Sequence, residues 1–225
     1  MSFSQQRTPE WHTQRSGKVT ASVCGTIIGV NKHQPPHALW EQLTGRNPPF
    51  GGNYFTWWGT KNEPNALNEY MQQTLHSVEE VGFRVHQHYL WLGGSPDGLV
   101  GSDGVVEFKC PSTKIMYEDN TIPLHYYVQC QVLMEVTDRS WCDLFVWTRA
   151  ETRRWHLTRD TEFFASICPI LAAFHAKMAT DLCPQPINID TNKLTRASLE
   201  QHIVPCVQME ESPFSKHPSS GQWDS

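Results

Sequence analysis

The chain lacks a paired-cysteine motif. Its seven cysteines, at 24, 110, 130, 142, 168, 183 and 206, form an odd set without a CxxC spacing. That argues against a secreted disulfide scaffold and makes buried free thiols the expectation, ahead of zinc or an iron–sulfur cluster. No apolar run approaches the roughly 20 residues a bilayer span requires. The opening Met1-Ser2-Phe3-Ser4-Gln5-Gln6 lacks the charged-then-apolar order of a secretory signal, so a soluble, intracellular protein is expected. A large charge excess is missing too: the net charge of −5 argues against a generic DNA-coating protein. What is present is a chain of 225 residues, 39% hydrophobic, with nine Trp. That suffices for one well-packed domain.

The modest net charge hides segregation. Residues 1–62 carry six Lys and Arg against Glu10 and Glu41, and residues 149–159 carry four Arg against Glu151. Residues 63–100 hold five acids against Arg84. A basic groove leading to an acidic pocket has this pattern, as does ordinary surface scatter.

There is no internal repeat. Short helices are predicted over Thr20–Gly29 and His37–Leu43, and a longer one over Trp57–Leu75. The period then changes. One or two strands are expected over Val78–Leu92, then a hairpin pairing Gly94–Val100 with Val105–Cys110 across Gly101-Ser102-Asp103-Gly104. A helix over Leu124–Val136 precedes strands over Cys142–Thr148 and Arg153–Leu157. A long helix follows over Thr161–Thr180, with a kink expected at Pro169. Residues 1–183 read as one domain. Residues 184–225, polar and rich in proline, read as a wrapping arm or flexible tail. The order of elements predicts an α/β (α+β) core, a central mixed sheet flanked by helices.

The chemistry concentrates in Ser95-Pro96-Asp97-Gly98-Leu99 and, ten residues after Asp97, Glu107-Phe108-Lys109. Strand alternation puts Val105, Glu107 and Lys109 on one face and Val106, Phe108 and Cys110 on the other. Glu107 and Lys109 then aim at one point, about 6–7 Å apart at Cα. Across the turn Asp97 returns to that point, with Pro96 and Gly98 signalling irregular backbone. Two carboxylates and a main-chain carbonyl such as that of Phe108 suit a hard cation, Mg2+ or Mn2+, one or two per site. With Glu63 as a third carboxylate, such a pocket repels phosphate and raises its own carboxylate pKa values until a divalent ion reverses the sign. Lys109 would orient or deprotonate a water, or balance charge in the transition state. A surface hairpin with a solvated Glu–Lys pair accounts for the ExK triplet alone. The upstream SPDG and the intervening turn favour the site.

These residues sit in an ordered series: Glu10-Trp11-His12-Thr13-Gln14-Arg15, Val19-Thr20-Ala21-Ser22, Ile28-Gly29, Leu39-Trp40, Gly45-Arg46, Trp58-Gly59 with Glu63-Pro64, Ser95-Pro96-Asp97-Gly98, Glu107-Phe108-Lys109-Cys110-Pro111 and Gln129-Cys130-Gln131. Over roughly residues 10–180 the series resembles the lambda exonuclease (YqaJ-type) branch of the PD-(D/E)xK nucleases. The resemblance implies a restriction-endonuclease-like core and a Mg2+-dependent, processive exonuclease. Such an enzyme digests the 5′-ended strand of duplex DNA and leaves a 3′ single-stranded tail for recombination. It further implies a ring-shaped homotrimer, a strand-annealing recombinase as partner, and a phage or prophage origin with action in the bacterial cytoplasm.

By the same resemblance Asp97 and Glu107 match metal ligands, Lys109 the catalytic lysine, Glu63 the additional acid and Gln129 a polar residue beside the lysine. Arg15, Thr20 and Ser22 match a pocket for the terminal 5′-phosphate. Hydroxyls at a helix start and a bidentate Arg fit an anion on physical grounds as well, although plain capping explains Thr20 and Ser22 equally. Pro64 disfavours helical geometry at Glu63 and is expected to mark a helix start or kink.

Two other functions share this core: a structure-specific endonuclease, and a catalytically silent module that binds DNA ends. Trp57, beside Tyr54 and Phe55, is expected either to stack on frayed bases or to join the core, and Trp58 to be core. His86 and His88 are read as solvated or core histidines.

Overall fold

The alternation read over Val105–Cys110 is the axis of the molecule. In the computed structural model, which describes residues 6, 8–48, 50–113, 121–185 and 202–204, strand β6 (Gly104–Lys109) lies inside a six-stranded mixed sheet. Its neighbours are β5 (Gly98–Val100), antiparallel, and β7 (Trp141–Trp147), parallel. Outside these lie β2 (Val78–Glu79) beside β5, and β8 (Thr152–Thr158) beside β7. The parallel β6–β7 pair needs a crossover, and α5 (Leu124–Thr137) supplies it. The backbone of β9 (His202–Val204) pairs with Arg154–His156 at the far edge. The rest of the expected C-terminal arm, 186–201 and 205–225, lies outside the described residues.

Each sheet face has its own helical layer. Val105, Cys142, Leu144 and Val146 face α5, α2 (Ala21–Ile27) and α6 (Thr161–Met178). Helix α5 is buried continuously from Tyr127 to Val136, as befits an element covered on all sides. It approaches α2 so closely that a Cβ on Gly25 would lie 2.7 Å from that of His125. The opposite residues, Val106, Phe108, Phe145 and Trp147, meet Ala66 and Tyr70 of α4 (Tyr54–Thr74). The Tyr70 ring is edge-on to Phe108 and Phe145, with centroids 5.9 and 5.4 Å apart. Each such contact contributes about 0.5–1.5 kcal/mol beyond area burial. The Tyr70 hydroxyl donates to the buried Asp143 at 2.8 Å, and Asp143 also takes His156 at 2.7 Å and Arg154 at 3.4 Å.

Four expectations are refined. The segment 78–100 forms four short strands in two sheets. While β2 and β5 join the large sheet, β3 (Arg84–Val85) and β4 (Leu92–Gly94) join β1 (Val19–Thr20) in a small one. The break between β4 and β5 is Ser95–Asp97, where irregular backbone was expected. Helix α4 runs through Pro64 rather than starting or ending there. It is nucleated upstream by a reciprocal Asn53–Thr56 cap, and Asn62 bonds the Trp58 carbonyl with its side chain. Helix α6 likewise continues through Pro169. Finally, α1 (Pro9–Arg15) was not anticipated; it is capped by Thr8, opens on Pro9 and buries no residue. The helix α3 (Pro36–Leu43) falls where it was predicted.

Candidate active site

The register of β5 on β6 pairs Gly98 with Val106, so Asp97, one residue earlier, stands level with Glu107. The Asp97 Oδ2 accepts the Phe108 main-chain N–H at 2.6 Å. Glu107 projects toward α5, where its Oε1 accepts Lys109 Nζ at 2.7 Å and Gln129 Nε2 at 2.6 Å. The Gln129 Oε1 in turn accepts Lys109 Nζ at 3.1 Å. Glu107, Lys109 and Gln129 therefore form a closed triangle. The Lys109 ammonium also lies 4.9 Å from the centroid of the Tyr126 ring, one helical turn before Gln129.

Glu107 is 4% exposed, and its second oxygen, Oε2, is buried with no hydrogen-bond partner. An orphaned carboxylate oxygen is costly unless something positive reaches it. Burial, followed by the charge of Glu107, pushes the Asp97 pKa well above the usual carboxylate range, against the pull of Lys109 and the Phe108 N–H. Burial likewise raises Glu107 despite Lys109. Burial opposes the Lys109 charge, yet Glu107, Tyr126 and Asp97 outweigh it and hold the lysine above its ordinary value. These partners favour the ammonium form, which suits the lysine to orienting a ligand and balancing charge.

Glu63 comes from α4 and lines a cleft of about 520 Å3 together with Thr60, Lys109, Cys110 and Tyr126. Asp97 and Glu107 lie behind that wall and meet it through Phe108 and Lys109. Glu63 is close enough for its charge to act on Asp97, Glu107 and Cys110. Burial, then Glu63 and Asp97, push the Cys110 thiol up to about 12. The donor set suits a hard cation: carboxylate oxygens, one of them orphaned, in a region that resists its own negative charge. Among the described residues no three His, Cys, Asp or Glu side chains are gathered into a complete cage. A cation here would therefore draw on main-chain and water oxygens as well.

Arg15, Thr20 and Ser22, the residues assigned to a phosphate pocket, lie together. Arg15 Nη2 reaches Thr20 Oγ1 at 3.5 Å, and Thr20 Oγ1 lies 3.2 Å from Ser22 Oγ. Thr20 occupies the N-cap position of α2 without capping it, its hydroxyl being directed to Arg15 and Ser22 instead. The Arg15 guanidinium stacks 4.1 Å above Trp11, whose Nε1 donates to Ser95 Oγ at 2.8 Å. Thr20 pairs with Gly93 in β4. Arg15, Thr20 and Asp97 are thereby tied to the same Ser95–Asp97 turn. Tyr126 was not singled out by sequence reasoning, although its i−3 spacing from Gln129 was a signal; Trp11 and Ser95 stood in the resembling series without an assigned role.

Three of the four arginines at 149–159 are engaged in ion pairs. Arg153 pairs with Glu151, Arg154 with Asp143, and Arg159 with Glu135 and Asp138. His86 is a core histidine, stacked on Phe164, with its Nδ1 accepting the His88 and Tyr89 main-chain N–H groups. Trp58 is half-buried beneath Arg149, while Trp57 is 53% exposed. Cys24, Cys110, Cys130, Cys142 and Cys168 are buried free thiols. No helix among the described residues is long and apolar enough to cross a membrane.

The fold and sequence of the chain are similar to those of known proteins. The alkaline exonuclease LHK-Exo from Laribacter hongkongensis is 30% identical, covering 76% of this chain and 93% of its own, with a TM-score of 0.65. A phage-related exonuclease from Haemophilus somnus 129PT is 16% identical over 72% of this chain and 93% of its own, TM-score 0.56, and shares the fold. Uncharacterized protein R354 of Acanthamoeba polyphaga mimivirus is 24% identical over 155 residues, which span 62% of this chain but only 28% of that curated relative. Residues 10–140 match the YqaJ-like viral recombinase domain, and the chain belongs to that family.

Proposed function

We propose that this protein is a divalent-metal-dependent exonuclease acting on double-stranded DNA, with Mg2+ as the natural ion and Mn2+ as a substitute. The observation that carries the reading is the orphaned Glu107 Oε2, on a residue level with the charge-resisting Asp97 and beside an ammonium held by Glu107 and Gln129. Asp97, Glu107 and the Phe108 carbonyl would hold the cation directly, with Glu63 reaching it from the cleft wall through a bound water. When bound, such an ion lowers the pKa of its water and stabilises phosphoryl oxygens. Lys109 donates a hydrogen bond toward the scissile phosphate or the attacking water. Gln129 fixes the direction of that ammonium, and the wall of α4 excludes bulk solvent from one side. LHK-Exo has been described in complex with dAMP, a nucleoside monophosphate of the kind an exonuclease releases.

Arg15, Thr20 and Ser22 give the reaction its polarity. Their two hydroxyls and one guanidinium suit a terminal phosphate, and the turn they share with Asp97 links that end to the reacting centre. The reading is processive 5′→3′ digestion that leaves a 3′ overhang for strand annealing. A homotrimeric ring and a single-strand annealing recombinase as partner, acting in the host cytoplasm, belong to the same proposal.

Linear duplex labelled at either the 5′ or the 3′ end, incubated with Mg2+ or with EDTA, tests it. Release of the 5′ label as mononucleotide, only with the ion, is expected. Efficient cutting of a closed circular duplex would instead establish an endonuclease.

A further inference from the structure

We infer that the first turn of α4 is a docking surface for single-stranded nucleic acid, standing just outside the cleft. Tyr54, Phe55 and Trp57 are 57, 64 and 53% exposed, and their rings touch. Tyr54 lies 5.8 Å from Phe55 at 74° and 5.9 Å from Trp57 at 36°. Clustered exposed rings on a soluble protein mark a binding surface. These rings are not on a loose loop, because the Asn53–Thr56 cap locks the turn that bears them.

The occupant follows from charge and position. Lys61 Nζ lies 4.7 Å from the Trp57 ring, and the Arg149 guanidinium 4.7 Å from that of Trp58. No acidic residue occurs between Glu41 and Glu63. A protein-binding patch is depleted of charge at its centre, whereas rings interleaved with cations suit a polyanion of stacked bases. A duplex hides its base faces, so only unpaired bases present them to these rings. The surface is continuous with the cleft, since Phe55, Thr56 and Gly59 form its wall alongside Lys109. This inference rests on the nuclease reading for the identity of the polymer brought to that wall.

The test is fluorescence anisotropy of labelled oligo(dT) with the full chain in EDTA, where no hydrolysis occurs. The double variant Tyr54→Ala/Trp57→Ala is expected to bind the single strand roughly tenfold more weakly per ring removed. Its affinity for a blunt, 5′-phosphorylated duplex should stay within about threefold of wild type. Trp57→Phe keeps a ring and is expected to retain single-strand affinity while losing the quenching of tryptophan emission that oligo(dT) causes.

Unchanged oligo(dT) affinity in the alanine variant overturns the inference, as does equal weakening toward both ligands. A fall in sedimentation mass in that variant also overturns it, assigning the patch to contact between copies. Mg2+-dependent hydrolysis by wild type reads the nuclease proposal separately. Hydrolysis without a ring effect removes only this inference, and a ring effect without hydrolysis removes only the nuclease.

Discussion

The carboxylate of Asp97 is bonded to the main-chain N–H of Phe108 at 2.6 Å. The acid that precedes β5 is thus anchored to the strand that carries Glu107 and Lys109. An anchored anion beside a second buried carboxylate is a poor arrangement for an apoprotein and a good one for a cation receptor. Asp97→Asn keeps the side-chain volume but can place only a neutral oxygen there. It should lower metal-dependent DNA hydrolysis by about 10²–10³-fold and abolish the stabilisation that Mn2+ gives in a thermal melt. Retained Mn2+ stabilisation would remove Asp97 from the ligand set.

Gln129 gives one end of its amide to Glu107 and the other to Lys109. Gln129→Leu leaves both partners in place but deletes their bridge. Losing hydrogen bonds to charged groups costs about 1.5–3 kcal/mol, so turnover should fall by roughly ten- to a hundred-fold. DNA-end affinity, measured in EDTA, should change little. If affinity falls as much as turnover, Gln129 contacts the substrate rather than positioning the lysine.

Alternation over β6 was readable because period 2 is local, and both faces found the partners it demanded: Ala66 and Tyr70 on one side, Gln129 on the other. The α/β core was readable from the order of elements. Helix α1 was not, because it presents no apolar stripe to the core; Trp11–Ser95 and Arg15–Thr20 hold it instead. The division of β4 and β5 between two sheets was equally silent, since alternation says nothing about which sheet a strand joins. Whether the arginines of 149–159 formed a groove or ordinary surface was not legible, because Asp143, Glu135 and Asp138, which pair with two of them, lie in other elements.

Burial, then Lys109 and His33, hold the His125 imidazole down at about 4. An unfolded histidine titrates near 6.5. Between those values the unfolded chain binds a proton that the folded chain does not. His125 therefore makes stability fall as pH drops from about 6.5 to about 4, with no further change below. In His125→Gln the acid limb of a plot of thermal midpoint against pH should be shallower. An unchanged slope would show that His125 is protonated in the folded state.

Arg15 stacks on Trp11 while reaching Thr20, so its removal loses packing as well as charge. Arg15→Lys separates the two effects: it keeps the cation and much of the apolar stem but loses the planar fork that grips phosphate bidentately. The lysine variant should digest 5′-hydroxyl ends at nearly the wild-type rate. Its advantage on 5′-phosphorylated ends should shrink by about tenfold, the worth of roughly one charge-assisted hydrogen bond. Initial rates on paired substrates that differ only in the terminal phosphate decide the matter. Equal slowing on both ends would relocate the phosphate-binding group to another part of the cleft and leave Arg15 as the clasp between α1 and Thr20.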